Sequence, residues 1–472
     1  MIKMMVRVIC YIVLVVIMVS CGENKSQKSY ETMVSDPIHL SVDDIEVVGE
    51  LGPFKINMTS AEEEPGIQII TIVLLAEESA PPPEFTLKWS FPSVDVYAFW
   101  NSNIAVDKAT YYRNRVTSRA SSQAPVISFM NSNDQNRLTF ALSDALNRIK
   151  VSSYLKEEDI RFHNSITFFS EPHPAITEYT AELRLDNRNI PYHKSIADVT
   201  DWWAGKKGYE PAEVPEMAKM PLYSTWYSFH QNLDAAEVIH QCRLGKKIGL
   251  DAVIIDDGWQ TMDNKRGYAY TGDWQPERIP EMKAFVDSIH ALDVKVMLWY
   301  SLPFIGEKSK LHNQFKGRYL HHWESQDTWV LDPRYPEVRE HIIGTYEKAL
   351  TEWSLDGFKL DFLGWFYADE NTDLTARNGR DYASVNDAVD RLMSDIMKRL
   401  KALRPDILIE FRQPYIGPLM RKYGNMFRAA DCPNMEIINR VRTTDLRLLS
   451  GNTAVHSDMF RWHEDDAVES AA

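Results

Sequence analysis

The chain has 472 residues, of which 44% are hydrophobic and 25% are charged. These proportions are typical of folded protein, and the length is sufficient for two or three domains with their own cores. The formal net charge of -15 argues against a nucleic-acid partner, because binding to phosphates requires clustered Lys and Arg. An uncharged or weakly charged substrate fits this balance better.

The N-terminus has the pattern of an export signal. Lys3 and Arg7 precede an apolar run over residues 8–19, which is short for a membrane span, although a transmembrane anchor is the alternative. The residues before Cys21 resemble a bacterial lipobox, and a polar stretch follows. We therefore expect a lipoprotein signal peptide at 1–20 and a polar tether at 21–37. The protein would be exported to the cell envelope (periplasm or outer membrane) and would contact the lipid membrane through acylated Cys21.

Few cysteines remain for the folded part of the chain. Once Cys10 and Cys21 are assigned to the signal and the lipid anchor, only Cys242 and Cys432 are left. A disulfide framework is not indicated, and no Cys or His cluster has the spacing of a zinc site. The sequence predicts no metal and no organic cofactor.

Residues 38–195 predict an N-terminal β-sandwich domain. Short alternating or β-branched segments follow one another, with turns rich in Pro, Asn, Asp and Ser between them. No long helical period interrupts this pattern, so two packed sheets are the natural arrangement. The strand segments are IQIITIVLL, FTLKWSFPSVDVYAFW, APVISFM, NRLTFALS, SITFF and TEYTAELRLD.

Residues 196–472 predict a catalytic (β/α)8-type TIM barrel. Strand-like runs alternate with stretches of helical period, which is typical of parallel βα units. Such a barrel needs eight strands, and seven are found before the sequence stops in HEDDAVESAA. We therefore expect an incomplete barrel that lacks its eighth strand, either because the chain is truncated or because that strand comes from elsewhere, with a non-barrel open sheet as the alternative. The seven strand candidates are LYSTW, DAVIIDD, VKVMLWY, DGFKLDF, ILIEF, NMFRAA and TAVHSDM.

Polar and aromatic residues gather where these strands end. In such barrels the active site lies at the C-terminal ends of the strands, so these residues predict a catalytic mouth. Two carboxylates there could serve glycoside hydrolysis, one as nucleophile and one as acid, while tryptophans stack on sugar faces. The aromatic candidates for this stacking are Trp226, Trp259 and Trp299.

The motifs LYSTWYSFH, VIIDDGWQ, GDWQP, LDPRYPEVRE, DGFKLDF and GNTAVHSDM occur in this order. With them the chain resembles the α-galactosidases of glycoside hydrolase family 36, whose clan includes family 27. The resemblance implies that Asp361 is the nucleophile and that Lys359 contacts sugar hydroxyls. The Lys359 ammonium, two residues earlier on the same face of the strand, should also favour an ionised Asp361. The resemblance further implies that Asp256 and Asp257 hold the 4- and 6-hydroxyls of galactose, with Trp226 and Tyr227 beside the sugar.

The acid/base assignment follows the same resemblance with one departure. Relatives usually separate the sugar-binding arginine from the acid by four positions, whereas Arg428 and Asp431 are three apart. A strict register would place Cys432 at the acid position, and a thiol is a poor general acid. Asp431 is therefore the predicted acid/base, and Asp458 and Glu410 are the alternatives.

Glu410 resembles the glutamate that contacts the 2-hydroxyl of the sugar in family 27. Arg412, two residues later, could equally be a structural ion-pair partner. The resemblance thus implies a retaining enzyme that releases terminal α-D-galactose from α-galactosides without a cofactor. A transglycosylase of the raffinose-synthase type and an inactive sugar-binding fragment are the rival readings. β-L-Arabinopyranose and α-N-acetylgalactosamine are alternative sugars, and the oligomeric state is not predicted.

Overall fold

The computed structural model describes residues 36–105, 114–265, 267–433 and 435–459. From Pro37 onward the chain forms one compact unit. The predicted signal peptide, Cys21, all but the end of the tether and the C-terminal HEDDAVESAA segment lie outside the described residues. Within the described ranges, no helix is long and apolar enough to cross a membrane. The predicted boundary between residues 195 and 196 stays a prediction.

The N-terminal region is rich in β-structure, as predicted. Its strands are β1 (Glu46–Val48), β2 (Lys55–Glu64), β3 (Ile67–Ala80), β4 (Phe85–Pro92), β5 (Ala98–Asn101), β6 (Asn114–Ser118), β7 (Val126–Met130), β8 (Asn136–Leu142), β9 (Ile149–Lys156), β10 (Arg161–Phe168) and β11 (Ile176–Asp186). They form two antiparallel sheets, with the orders β1-β4-β10-β9-β6 and β2-β3-β11-β8-β7-β5.

Alternating side chains explain how these sheets bury their apolar faces. In β4, Phe85, Leu87, Trp89 and Phe91 are buried, because successive residues of a strand point to opposite faces. Phe85 stacks on Phe168 of the neighbouring strand with ring centroids 4.7 Å apart. Side chains from both sheets share one apolar core. The packing of the two sheets as a sandwich stays a prediction.

The second region begins with α1 (Tyr192–Ala204) and contains a parallel sheet of seven strands. All seven predicted strands are present and are adjacent in chain order. They are β12 (Leu222–Ser224), β13 (Ala252–Ile255), β14 (Lys295–Ser301), β18 (Gly357–Asp361), β19 (Leu408–Arg412), β20 (Met426–Arg428) and β21 (Ala454–His456). A small antiparallel sheet lies between β14 and β18 along the chain and consists of β15 (Phe304–Gly306), β16 (Tyr319–Trp323) and β17 (Thr328–Leu331).

Helices connect the parallel strands. The longest connecting helix begins where the Ser384 side chain accepts a hydrogen bond from the Asp387 amide, which satisfies one free donor of its first turn. Its buried stripe belongs to the same apolar core as side chains of the parallel strands. The helices are α2 (Trp226–Phe229), α3 (Ala235–Lys246), α4 (Met282–His290), α5 (Pro336–Trp353), α6 (Val385–Leu403), α7 (Met420–Tyr423) and α8 (Glu436–Leu449).

The seven-stranded sheet is curled, so that residues beside its two outer strands touch. The Tyr227 hydroxyl, just after β12, donates to Asp458, just after β21, at 2.9 Å. The ring of His456, the last residue of β21, lies 2.7 Å from the carbonyl oxygen of Ala218, which precedes β12. Curling brings the C-terminal ends of all seven strands around one mouth. The predicted α/β region with parallel strands is confirmed, whereas the missing eighth strand stays a prediction.

Candidate functional site

The predicted nucleophile, Asp361, is the last residue of β18 and is only 5% exposed. Its Oδ1 accepts the Phe362 amide at 2.8 Å and its Oδ2 accepts the Trp299 indole N–H at 3.3 Å. Arg412 contacts both oxygens, with Nε donating to Oδ2 at 3.1 Å and Nη2 lying 3.1 Å from Oδ1. Burial alone would raise the pKa of this carboxyl, but Arg412 and then Lys359 hold it below its usual value. Asp361 is therefore an ionised carboxylate.

Lys359 and Asp256 form a buried ion pair beside the nucleophile. Lys359 lies two residues before Asp361 on β18 and thus shares its face of the sheet. Its Nζ donates to Asp256 Oδ2 at 2.6 Å, while Asp256 Oδ1 accepts the Asp257 amide at 2.9 Å. The lysine thus bonds directly to Asp256 and acts on Asp361 only through space. The sequence predicts that the Lys359 ammonium favours an ionised Asp361, and it leaves a structural ion pair as one of two roles for Arg412.

Asp257 is buried and accepts two amide hydrogen bonds. Gln231 Nε2 donates to its Oδ2 and Gln260 Nε2 donates to its Oδ1, each at 2.7 Å. Burial raises the pKa of Asp257 to about 6, because these neutral donors and nearby Lys359 only partly offset the lost hydration. Both glutamines follow predicted strand ends closely, yet the sequence pattern did not single them out.

Glu410 presents an unusual buried carboxylate. It is fully buried on β19, directly beside Lys359 in the register, and neither carboxylate oxygen has a hydrogen-bond donor among the described residues. The nearest cation is Arg428, whose Nε lies 3.6 Å from Glu410 Oε1. A buried acceptor without a donor is costly, so this side chain is suited to a ligand hydroxyl.

Arg428 links three carboxylates at the end of β20. It donates to Asp458, and its Nη2 donates to Asp431 Oδ1 at 2.9 Å. Asp458 is almost fully buried and also accepts the Cys432 amide at 2.6 Å. Asp458 therefore anchors Arg428 and the segment after it, which leaves it little capacity to act as an acid.

Asp431 lies at the surface end of this network. Its side chain is 47% exposed, in contrast to Asp361. Burial would raise the pKa of its carboxyl, but Arg428 and then Arg412 lower it to about 2. Asp431 is a carboxylate at neutral pH in the absence of substrate, and Arg412 interacts with both it and Asp361.

The four predicted aromatic residues take different positions. Trp226 is half-buried at the start of α2, and Tyr227 donates its hydroxyl to Asp458. Trp299 is almost fully buried with its indole on Asp361. Trp259 is completely buried and donates its indole N–H to the Trp299 carbonyl at 2.9 Å. Trp259 therefore holds the backbone of Trp299 through this buried hydrogen bond.

Phe362, which directly follows Asp361, belongs to a cluster of further aromatic residues. Phe362 packs against Phe304 with ring centroids 4.9 Å apart, and Trp323 stacks on Trp365 at 4.4 Å. Phe362, Trp323 and Trp365 are all half-buried. They follow β18 or belong to β16, so only the folded chain brings them together. The sequence signal was weak, since aromatic residues alone more often indicate core.

Direct contacts join the predicted site residues into smaller groups. Lys359 bonds to Asp256, which accepts the Asp257 amide, and Trp299 donates to Asp361. Arg428 bonds to Asp431 and lies 3.6 Å from Glu410, and Arg412 interacts with both Asp361 and Asp431. Across the described ranges, no group of three or more His, Cys, Asp or Glu is arranged to hold a metal ion. The arrangement offers a buried ionised carboxylate, an exposed second carboxylate and several acceptors for hydroxyl groups.

Comparison with known proteins gives an independent view of the same region. Residues 214–413 match the sequence profile of the Melibiase family. "Alpha-galactosidase 2" of Pediococcus pentosaceus is 25% identical over 209 residues, which are 42% of this chain and 28% of that protein. The "Bifunctional alpha-galactosidase/sucrose kinase AgaSK" of Mediterraneibacter gnavus is 23% identical over 206 residues, covering 41% of this chain and 20% of that protein.

Solved structures show the same fold. A variant of the family GH36 α-galactosidase AgaA of Geobacillus stearothermophilus, in complex with stachyose, superposes with a TM-score of 0.60 at 15% identity, covering 92% of this chain and 65% of that one. The α-galactosidase TtGalA of Thermus thermophilus, also with stachyose, gives a TM-score of 0.53 at 16% identity, covering 85% and 88%. The chain spans less than two-thirds of the curated relatives and of AgaA. The predicted resemblance to family 36 is confirmed.

Proposed function

We propose that this chain, a relative of the α-galactosidases of glycoside hydrolase family 36, is a retaining glycosidase that releases terminal α-D-galactose. The observation that carries the proposal is the buried, ionised Asp361 at a strand end, with Asp431 as a second carboxylate near the same arginine. Two carboxylates of unequal environment are what double displacement requires. Galactoside oligosaccharides of the raffinose and stachyose type, which relatives bind, are the substrate class.

In the first step, Asp361 attacks the anomeric carbon while the glycosidic C–O bond breaks. Asp431 gives its proton to the departing oxygen, and the sugar stays covalently bound to Asp361. In the second step, Asp431 takes a proton from water, the water oxygen attacks the anomeric carbon, and Asp361 is released as a carboxylate. Retention requires the two carboxyl groups to lie roughly 5 to 5.5 Å apart.

Asp431 must change its protonation state to serve in the first step. Its pKa of about 2 makes it a carboxylate in the free protein, which is the form needed for the second step. A bound aglycone would cover its exposed side chain and remove water from it. Desolvation disfavours the charged form, so substrate binding would raise the pKa of Asp431 and favour the acid.

The remaining polar side chains supply galactose recognition. Asp256 and Asp257 are proposed to accept the 4- and 6-hydroxyls, with Lys359 donating to the same region. Glu410, whose oxygens lack described donors, is proposed to accept the 2-hydroxyl. Carboxylates accept hydroxyl protons in short, strong bonds, which suits a neutral sugar.

The decisive experiment measures hydrolysis of an aryl α-galactoside by the wild-type protein and by Asp361→Ala. Loss of the attacking group should lower kcat by about a thousandfold or more. Added azide should restore turnover and yield β-galactosyl azide, because azide replaces the carboxylate on the same face. Undiminished activity in the variant would refute the assignment.

Asp356→Ala provides a matched control. Asp356 directly precedes β18, at the opposite end of the strand from Asp361, and is equally buried. It bonds to His290 at 2.7 Å and to Arg404 at 2.9 Å, away from the mouth. This variant should lose stability but keep its turnover and gain nothing from azide. Product analysis with an added sugar acceptor separates hydrolysis from transglycosylation in the same samples.

A location in the cell envelope is part of the proposal. The lipobox-like residues before Cys21 support it, together with the apolar run at residues 8–19. Labelling with radioactive palmitate in a bacterial host should give a labelled membrane-bound protein. Cys21→Ser should abolish the label, and persistence of the label in that variant would contradict acylation at Cys21.

A further inference from the structure

Arg412 contacts both carboxylate oxygens of Asp361, and this pairing must loosen for Asp361 to attack a sugar. A carboxylate offers two lone-pair positions on each oxygen. In this structure Asp361 Oδ1 faces the Phe362 amide and Arg412 Nη2, while Oδ2 faces the Trp299 indole and Arg412 Nε. Each oxygen therefore carries one hydrogen bond from outside the arginine and one contact from Arg412. One of these contacts must give way as Asp361 forms a bond to an anomeric carbon.

Arg412 is the donor that is able to leave. The Phe362 amide is backbone, and Trp299 is 2% exposed within β14, so neither can withdraw without unfolding. The Arg412 side chain is 18% exposed and rests on the rings of Tyr415 and Phe362, with its guanidinium carbon 5.1 and 5.9 Å from their centroids. A cation on aromatic faces can slide at small cost, because those contacts are weakly directional.

The structure also indicates the carboxylate toward which the Arg412 side chain can move, which is Asp431. Arg412 and Arg428 are partners in the register of β19 and β20, and Arg428 holds Asp431. Arg412 already contributes to lowering the pKa of Asp431, second only to Arg428. Asp431 is thus a second carboxylate that interacts with Arg412, and it could receive the guanidinium when Asp361 no longer carries a charge.

We propose that Arg412 is a mobile counter-ion that pairs with Asp361 in the free protein and with Asp431 once Asp361 bears the sugar. The inference rests on the proposed double displacement. When Asp361 attacks and the glycosidic bond breaks, the new ester is neutral and Arg412 loses its partner. It then holds Asp431 as a carboxylate, which is the base that deprotonates water. Release of the sugar restores the charge on Asp361, and Arg412 returns to its first partner.

Other charged groups act on the same carboxylate and define the controls. From β14 the Trp299 indole faces it, and that side chain does not titrate. Lys359 shares its strand and is held by Asp256. The titratable and charged groups around Asp361 are Lys359, Asp256, Arg412, Tyr415 and, through Arg412, Asp431.

The first test measures binding rather than turnover. Calorimetry compares 1-deoxygalactonojirimycin, a cation, with neutral galactose on wild-type protein, Arg412→Met and Arg412→Lys. Removing the resident cation should tighten iminosugar binding by about tenfold while galactose changes by less than about threefold, and Lys should behave like the wild type. Arg404→Met removes an arginine that pairs with Asp356 at the far end of the barrel and should change neither. Equal iminosugar affinity in wild type and Arg412→Met would overturn the pairing with Asp361.

The second test follows the two steps by pH. With an activated aryl galactoside, the acid limb of kcat/KM reports ionisation of Asp361, and that of kcat reports Asp431 in the covalent intermediate. Both limbs should rise by about one pH unit in Arg412→Met and stay in place in Arg404→Met. A rise in kcat/KM alone would refute the transfer to Asp431. Iminosugar binding as expected without any galactoside cleavage would instead refute the proposed function, and the transfer with it.

Discussion

Glu410 gives the most specific prediction about sugar recognition. Its carboxylate is fully buried and lacks a described hydrogen-bond donor, and the Nε of Arg428 lies 3.6 Å from its Oε1. If Glu410 accepts a hydrogen bond from the 2-hydroxyl of galactose, the substrate supplies the hydrogen-bond donor that the described residues do not provide. Replacing Glu410 with Ala should therefore weaken the transition state for galactosides much more than for 2-deoxygalactosides.

The magnitude follows from the kind of hydrogen bond. A bond from a neutral hydroxyl to a charged acceptor contributes about 1.5–3 kcal/mol, which corresponds to about 10- to 150-fold in kcat/KM. The 2-hydroxyl also slows formation of the oxocarbenium-like transition state, so a single comparison of substrates is ambiguous. That intrinsic effect is the same for both proteins and cancels in a double cycle of two substrates and two proteins.

The assay is kcat/KM for an aryl α-galactoside and its 2-deoxy analogue with wild type and Glu410→Ala. The coupling between the side chain and the hydroxyl should be at least about tenfold. Thermal unfolding of both proteins checks that the variant is folded under the assay conditions. A coupling below about threefold, with the variant folded, would refute the assignment of Glu410 to the 2-hydroxyl.

Three further outcomes are expected. Asp431→Ala should lose about 10²- to 10⁴-fold in kcat/KM on galactosides with poor leaving groups and less than tenfold on activated aryl galactosides, and a uniform loss would contradict its role as acid. Asp458→Ala should lower the unfolding free energy by about 3–5 kcal/mol in urea titrations, because Arg428 loses a buried partner. Burial raises the pKa of Asp257 to about 6, so ionisation of this carboxyl lowers the unfolding free energy of the protein as the pH rises from 5 to 7.5. Asp257→Asn should remove this pH dependence, and its stability relative to wild type should increase by about 1.4 kcal/mol over that interval.

The sequence pattern was sufficient to find the parallel strands and the residues at their ends. Asp361 and Arg428 were both located as strand-end residues, and the structure places each at the C-terminal end of its strand. This success has a simple cause. Hydrophobic runs of four to seven residues mark buried strands, and a polar residue at the end of such a run stands out.

The contacts between those residues could not be read from the chain. Lys359 and Asp361 share a face of β18, which suggested an ion pair, but Lys359 bonds to Asp256, just after β13, and Arg412 on β19 takes its place. The pairing depends on the curvature of the sheet and on side-chain direction. Both are set by packing among strands that are far apart in sequence.

The sequence by itself determined the alternation of strands and helices, the polar residues at the strand ends and the resemblance to family 36, because these depend on local residue pattern. Only the tertiary structure decided which cation neutralises Asp361, that Glu410 lacks a described donor, and that Trp259 donates a hydrogen bond to the Trp299 carbonyl. Charge and burial at a site are sums over neighbours from several strands. No single segment of the chain contains all the residues that determine the charge and burial at the site.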